Sequence, residues 1–215
     1  IDLGTTYSAI ARIDDTGRVL DDTSALLALL SLLGDDLADR EVALPVATTV
    51  HAEALVERHG GRVRPTKLAA SAVMEAAAEP EVVFAAGLEG GYVVPDFLAA
   101  YDAAATLVKT LELLARRDVR LSEVVADLPD RHLVRESVVT PWEQKGTVMR
   151  TLMERSGDRE VVLVDGVKVR HDGGWVLAWP DPEEPVTNVW AEAGSDLAAR
   201  QLAEEYVRRI RQMIR

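Results

Sequence analysis

Apolar and polar positions along this chain alternate between two periods. The clearest period of two lies in residues 165–193, DGVKVRHDGGWVLAWPDPEEPVTNVWAEA. The runs VKVRH and GWVLAW each alternate, and Asp172-Gly173-Gly174 joins them. A glycine-rich turn between alternating runs predicts a β-hairpin. Pro180-Asp181-Pro182-Glu183-Glu184-Pro185 then breaks the alternation with three prolines and three carboxylates. Each proline ring fixes φ, so this loop is predicted to be stiff. Residues 186–192 return to a strand pattern.

The first half mixes short apolar strands with helical stretches. Strands are predicted at 7–13, 18–20, 41–46, 62–64 and 81–85. Helices are predicted within 21–34, capped by Asp22 or Thr23 and ended by Gly34, at 49–59, capped by Thr49, at 69–78 and at about 99–116. The strand at 81–85 runs into Gly87-Leu88-Glu89-Gly90-Gly91. Strands alternating with helices at this spacing predict a parallel or mixed sheet covered by helices, with ligands at the loops after the strand carboxyl ends. A short helix at 121–128 follows. After Pro129-Asp130 come a strand at 132–139, a helix at 143–155, strands at 160–164, 167–170, 175–179 and 186–192, and a last helix at 196–214 capped by Ser195. The fold class is therefore α/β: a three-layer α/β domain, 14–118, then a small α+β domain, 119–215, with an antiparallel sheet and two helices. The turn at Pro129-Asp130 marks the neighbourhood of the boundary, and residues 1–13 are expected to finish a preceding domain.

Composition narrows the partners. There is no cysteine, which excludes disulfides and thiolate chemistry and fits a cytoplasmic protein. The formal charge of −12 argues against nucleic acid or an anionic membrane as a partner. The most apolar stretch, 25–33, is far short of the ~20 residues that span a bilayer. The chain opens at Ile1 directly on a strand-like run, as a fragment of a longer polypeptide would. His51, His59, His132 and His171 lack metal-ligand spacing. His171, beside a turn, is expected to be exposed, and Trp142, Trp175, Trp179 and Trp190 are expected in the core or on strand faces.

From about residue 14 to residue 214 the order of pieces resembles the last two domains of the α-D-phosphohexomutases, the phosphomannomutase and phosphoglucomutase family. Four segments carry the resemblance: Asp15-Thr16-Gly17-Arg18-Val19-Leu20 before a leucine-rich helix; Arg64-Pro65-Thr66-Lys67; Glu89-Gly90-Gly91-Tyr92 leading to Pro95-Asp96-Phe97; and Asp165-Gly166-Val167-Lys168 with Gly174-Trp175-Val176-Leu177. A nearer likeness is to chains in which a sugar-1-phosphate nucleotidyltransferase precedes mutase-like domains, labelled mannose-1-phosphate guanylyltransferase. Pro141-Trp142, Lys145-Gly146, Val148-Met149-Arg150, Pro180-Asp181-Pro182 and Val189-Trp190-Ala191-Glu192 carry that likeness. It implies nucleotide-sugar metabolism of the GDP-mannose kind, upstream domains of the same chain as partners, and a hexose phosphate as candidate ligand.

The resemblance also implies what this chain lacks. In the family a phosphoserine in the first domain and a Mg²⁺ loop ending the second carry the phosphoryl transfer. Residues 2–7 fall where the metal loop belongs but offer only Asp2, so no metal site, cofactor or catalytic residue is expected here. The family's fourth-domain loop, Arg-Pro-Ser-Gly-Thr-Glu-Pro, grips a phosphate through its guanidinium, hydroxyls and amides. Here Trp179 stands for the arginine, Asp181 for the serine, Pro182 for the glycine and Glu183 for the threonine. Replacing a charge-assisted contact by a like charge reverses an interaction of about 1.5–3 kcal/mol, so a degenerate phosphate loop is expected. Lys67 is the candidate phosphate contact and Glu89, Gly90 and Gly91 the candidate sugar contacts; a solvated lysine and an ordinary surface turn are the plain alternatives. The leading expectation is a catalytically degenerate, structural or regulatory half of a mutase-family protein. The alternative is an active phosphomannomutase or phosphoglucomutase completed by upstream domains. A third reading rests on residues 1–11, IDLGTTYSAIA, which resemble the first phosphate loop of actin-like ATPases.

Overall fold

The computed structural model describes residues 14–214. The expected end of a preceding domain, the metal-loop position and the Gly-Thr-Thr turn, all within residues 1–13, lie outside the described residues. The chain divides into two compact units, with the division after Pro129.

In the first unit a four-stranded sheet has the order β2-β1-β3-β4, formed by β1 (Glu41–Pro45), β2 (Arg62–Thr66), β3 (Val82–Ala86) and β4 (Tyr92–Val93). β1 runs parallel to β2 and β3, and β4 returns antiparallel to β3. The order follows from the connections, because strands joined through helices pair in parallel while the short glycine-rich loop forces a hairpin. Pleating sends Val42 and Leu44 to one core, with Phe84 and Ala86, and Ala43 to the other, with Ala85. α1 (Asp22–Leu33), α2 (Val50–Arg58), α4 (Ala103–Arg117) and α5 (Leu121–Ala126) contribute to the first core and α3 (Ala70–Ala77) to the second. This is the expected three-layer arrangement.

α1 is the centre of the larger core. Leu26, Leu27, Leu29, Leu30, Leu32 and Leu33 are all buried, so its leucines cover the whole circumference rather than one stripe. Its cap is Asp21, not Asp22 or Thr23: the Asp21 carboxylate accepts from the Ser24 amide at 2.8 Å and the Ser24 hydroxyl at 2.7 Å. Its other end is closed by Arg117, which donates from Nε to the Leu32 carbonyl (2.6 Å) and from Nη2 to the Leu33 carbonyl (3.2 Å). Gly34 ends the helix at φ +48°, with the Arg117 guanidinium packed against it. α4 starts four residues later than the pattern suggests, where Asp102 caps it through the Ala105 amide at 2.7 Å. The Asp15 carboxylate accepts from the Ser122 amide and hydroxyl, each at 2.9 Å, and Val125 joins the first core. Residues 119–129 therefore pack with the first unit, and the division falls after Pro129 rather than after residue 118.

The second unit is an antiparallel sheet of order β5-β9-β8-β7-β6: β5 (Leu133–Val139), β6 (Val161–Val162), β7 (Val167–His171), β8 (Gly174–Pro180) and β9 (Val186–Ala193). The predicted hairpin is β7–β8, with His171 opposite Gly174. Val167, Val169, Val176, Ala178, Val189 and Ala191 form one face, packed with Val148 and Leu152 of α6 (Trp142–Glu154) and Tyr206, Val207 and Ile210 of α7 (Asp196–Met213). On the opposite face of the strands Trp175 donates to Glu192 Oε2 at 2.6 Å and lies 4.0 Å from Lys168 Nζ, while Arg135 lies over Trp190 at 4.7 Å. No helix of the described residues is long and apolar enough to cross a membrane.

The Gly34–Arg117 contact predicts opposite effects for two glycine substitutions. A Cβ at Gly34 would collide with the Arg117 guanidinium and would occupy a positive φ. Gly34→Ala should destabilise the first unit by about 1–3 kcal/mol. Gly146, inside α6, has open space where a methyl group would stand, and Gly146→Ala should stabilise the second unit by about 0.5–1 kcal/mol. Urea unfolding monitored by far-ultraviolet circular dichroism checks both; a Gly34→Ala variant as stable as its parent would show that Arg117 yields at no cost.

Candidate functional site

In the first unit the three parallel strands end at the same edge, so their exit loops share one rim. β1 leads into Val46, whose amide donates to the Thr66 carbonyl at 3.0 Å and ties the β1 and β2 exits together. Lys67 follows β2 directly and is exposed; the Thr66 hydroxyl donates to its carbonyl at 2.9 Å. The loop after β3 is closed by the Gly87 amide donating to the Gly91 carbonyl at 2.8 Å, with exposed Glu89 at its tip. β1 lies between the other two strands, and neighbouring strands are about 4.8 Å apart, which puts the Lys67 and Glu89 exits roughly 10 Å apart across the rim. The glycines have a local reason. A Cβ at Gly91 would stand 2.8 Å from Tyr101 Cδ1, so the loop's shape is set by the ring packed on it. No short-range pattern marks Tyr101 as part of this site, since it acts from ten residues downstream.

The loop at 179–185 belongs to the second unit, between β8 and β9. Asp181 Oδ1 accepts from the Glu183 amide (2.9 Å) and the Glu184 amide (3.0 Å), and Oδ2 accepts from Asn188 Nδ2 (3.1 Å). Buried Lys145 of α6 donates from Nζ to the carbonyls of Asp181 and Glu184, and the same ammonium lies 3.6 Å from the Trp142 ring centroid. The Asp181 amide donates to the Val186 carbonyl at 3.1 Å and the Thr140 amide to the Pro185 carbonyl at 2.7 Å. Trp179 meets Trp190 edge to face with centroids 5.9 Å apart. Pro182 and Glu183 are exposed, and Glu183 projects a carboxylate from the loop. The loop is thus stiff, as its prolines suggest, but its donors are turned onto its own acceptors. Burial raises the pKa of the Asp181 carboxyl; the two amides, Asn188 and Lys145 outweigh it and hold the group below its ordinary 3.8.

Asn188 belongs to this loop network though no motif singles it out, and Lys145, which stands in one of the family-like segments, belongs to it through a contact that the segment itself does not reveal. A signal exists for Lys145: it precedes Val148 and Leu152 at helical spacing, and a lysine on an apolar stripe needs a partner for its charge. Two other side chains depart from expectation. His171 is half-buried rather than exposed, with Nε2 2.9 Å from the Tyr206 hydroxyl; burial, then the Arg159 charge, lowers its pKa. Trp142 is 51% exposed, because the first turn of α6 points it outward over Lys145, whereas Trp175 and Trp190 are buried. Among the described residues no group of three or more His, Asp or Glu side chains is arranged to hold a metal ion.

Two measurements test the loop network. Lys145→Met leaves two carbonyls without their donor and should cost about 1–3 kcal/mol, with a shift in tryptophan emission from Trp142, read by denaturant titration with fluorescence. The Asp181 carboxyl has a lowered folded-state pKa, so its stabilisation is present above the unfolded value and disappears as pH falls through the lower folded value. Asp181→Asn should therefore be less stable than the parent at neutral pH, and the difference should vanish at acid pH where both side chains are neutral. A constant difference across an acid titration would contradict this.

The family model for phosphoglucomutase/phosphomannomutase, alpha/beta/alpha domain III, matches residues 21–132. A probable phosphoglucosamine mutase of Methanopyrus kandleri is 33% identical over 176 residues, 81% of this chain and 39% of the relative. A phosphoglucomutase/phosphomannomutase of Thermococcus kodakarensis is 29% identical over 198 residues, 89% of this chain and 42% of the relative. The chain thus spans about two fifths of the length of these curated relatives. Among solved structures, a phosphoglucomutase/phosphomannomutase family protein from Burkholderia thailandensis superposes with a TM-score of 0.74 at 22% identity, covering 90% of this chain and 42% of that one, which extends the shared fold through the second unit. With the third-domain model matching just over half of its residues, the chain belongs to the phosphoglucomutase/phosphomannomutase family.

Proposed function

We propose that this chain is the C-terminal half of a phosphohexomutase-family protein of nucleotide-sugar metabolism in which the fourth-domain phosphate loop no longer grips phosphate. In this reading the half is structural or regulatory within a longer protein of the nucleotidyltransferase type. The observation that carries it is the state of the loop at 179–185: its amides and the nearest ammonium are committed to Asp181 and to its own carbonyls, and Glu183 projects a carboxylate toward solvent. An arriving phosphate would find no unused cation in that loop and two glutamates to repel it.

The rim of the first unit supports a second reading. Lys67 and Glu89 remain at the strand exits, so a parent supplying the missing domains would use them as phosphate and sugar contacts in an active phosphomannomutase or phosphoglucomutase. The names of the relatives, phosphoglucosamine mutase and phosphoglucomutase/phosphomannomutase, favour a hexose phosphate or amino-sugar phosphate as ligand.

Titration calorimetry of the full-length parent with mannose 6-phosphate and glucose 1-phosphate separates the two. The degenerate reading expects no micromolar binding; micromolar affinity that falls at least tenfold in Lys67→Ala or Glu89→Ala would establish the active reading instead. For this half by itself, Mg²⁺ is expected to leave the melting temperature unchanged, since a ligand bound only by the native state must raise it. A rise in differential scanning fluorimetry would point to a metal site that the carboxylate count did not foresee.

A further inference from the structure

We propose that a cavity beside the β7–β8 turn of the second unit, walled by Arg155, Arg159 and His171, binds the diphosphate group of a small molecule. The inference goes beyond the reading of the 179–185 loop and does not rest on it. That loop follows β8, whereas the cavity lies beside the turn that precedes β8. The 7 residues of the strand, roughly 20 Å, separate the two.

The chain order explains the place. α6 ends at Glu154, residues 155–159 turn the chain toward β6, and β7 ends alongside them with Arg170 and His171. The Arg170 amide donates to the Glu160 carbonyl at 3.0 Å and holds that turn against β7. The cavity is about 560 Å³, within the range of small-molecule sites. Its cations differ in their commitments. Arg170 Nε lies 3.2 Å from Glu160 Oε1. Arg155 and Arg159 are exposed, and among the described residues neither guanidinium has a hydrogen-bonded or ion-paired partner, although Asp158 and Asp172 also line the cavity. His171 Nε2 is engaged by the Tyr206 hydroxyl at 2.9 Å, which leaves Nδ1 to a ligand. Arg209 lies 5.0 Å from the Tyr206 ring centroid and pairs with Glu205. In a chain of net charge −12 this is a local gathering of positive charge. Burial and then Arg159 lower the His171 pKa and Arg209 adds to them, while Glu205 and Asp172 oppose. Cations held together repel, and an anion among them removes that repulsion. Guanidinium forks take phosphoryl oxygens two at a time, so two uncommitted forks in one turn match two linked phosphoryl groups. The carboxylates of Asp158 and Asp172 disfavour weakly charged anions. Free pyrophosphate and a nucleoside diphosphate both carry the chemistry that remains.

The test is titration calorimetry of the 215-residue chain at neutral pH with inorganic pyrophosphate and, separately, guanosine 5′-diphosphate, with sulfate at matched ionic strength as control. Saturable submillimolar binding of one or both diphosphates is expected, with no saturation by sulfate. Arg155→Gln and Arg159→Gln should each weaken it by about tenfold or more, the loss of one charge-assisted contact. Arg208→Gln, at an exposed arginine of α7 that does not line the cavity, should leave it unchanged. All three replace exposed side chains, and far-ultraviolet circular dichroism checks that each variant is folded. Tighter binding of pyrophosphate identifies the free diphosphate as occupant; tighter binding of the nucleotide identifies the nucleoside form. A bound diphosphate should also raise the His171 pKa, so affinity should increase as pH falls through the His171 titration, read from its ring resonances in ¹H NMR with and without ligand. Absence of saturable binding to the parent overturns the proposal. So does binding that Arg155→Gln and Arg159→Gln leave intact, which would place the anion elsewhere, and binding that Arg208→Gln weakens equally, which would show diffuse attraction only.

Discussion

Buried backbone polar groups must be paired, and at two chain reversals in this protein a charged side chain from a distant element does the pairing. Arg117 reaches the last carbonyls of α1 from the end of α4, and Lys145 reaches the carbonyls of the 179–185 loop from α6. Each interaction fixes a chain reversal in its own unit. Without Arg117 the most buried helix would end with unsatisfied carbonyls in the larger core; without Lys145 the loop between β8 and β9 would lose the tie to the helix that packs on its sheet. An unpaired buried acceptor costs about 1–3 kcal/mol, a large part of the stability of a small domain. The two contacts are therefore a condition for the fold as much as a consequence of it.

The same requirement separates the two candidate sites. At the strand exits of the first unit the backbone is satisfied by the sheet and by neighbouring backbone, as between Val46 and Thr66, and the side chains of Lys67 and Glu89 stay exposed. In the 179–185 loop the donors serve the loop itself. A donor cannot stabilise both a rigid loop and an external anion at full strength. Stiffness in this loop, which a binding site gains from, is reached by committing the groups that would bind.

Much of this was legible in the sequence. Period-two alternation gave the β7–β8 hairpin, the strand–helix spacing gave the three layers of the first unit, and the order of short motifs gave the family. The features that escaped are those set by partners far along the chain or by details finer than propensity. Asp21 rather than Asp22 caps α1 because its carboxylate reaches Ser24, a difference of one residue that propensity does not resolve. The first unit extends to Pro129 because Asp15 receives Ser122 and Val125 enters the core, contacts across more than a hundred residues that no local pattern encodes. His171 looks like a turn residue and is instead held against Tyr206 of α7. The loop's substitutions could be read from sequence, but not that Asp181 would face inward onto its own amides.

That last point changes what the substitutions mean. Set one by one against the family loop that this stretch resembles, Asp181 in place of serine and Pro182 in place of glycine would be losses: a hydroxyl gone, an amide gone, a like charge added. In three dimensions they work together. Proline removes an N–H that Asp181 does not use and narrows the backbone, and Asp181 then takes the two amides that remain along the turn. Lys145 can sit buried because the carbonyls it binds are held in place by that turn, and Trp142 covers its other side. Restoring one family-like residue would therefore leave the others fitted to the closed loop, and phosphate affinity would depend on the set rather than on any single position.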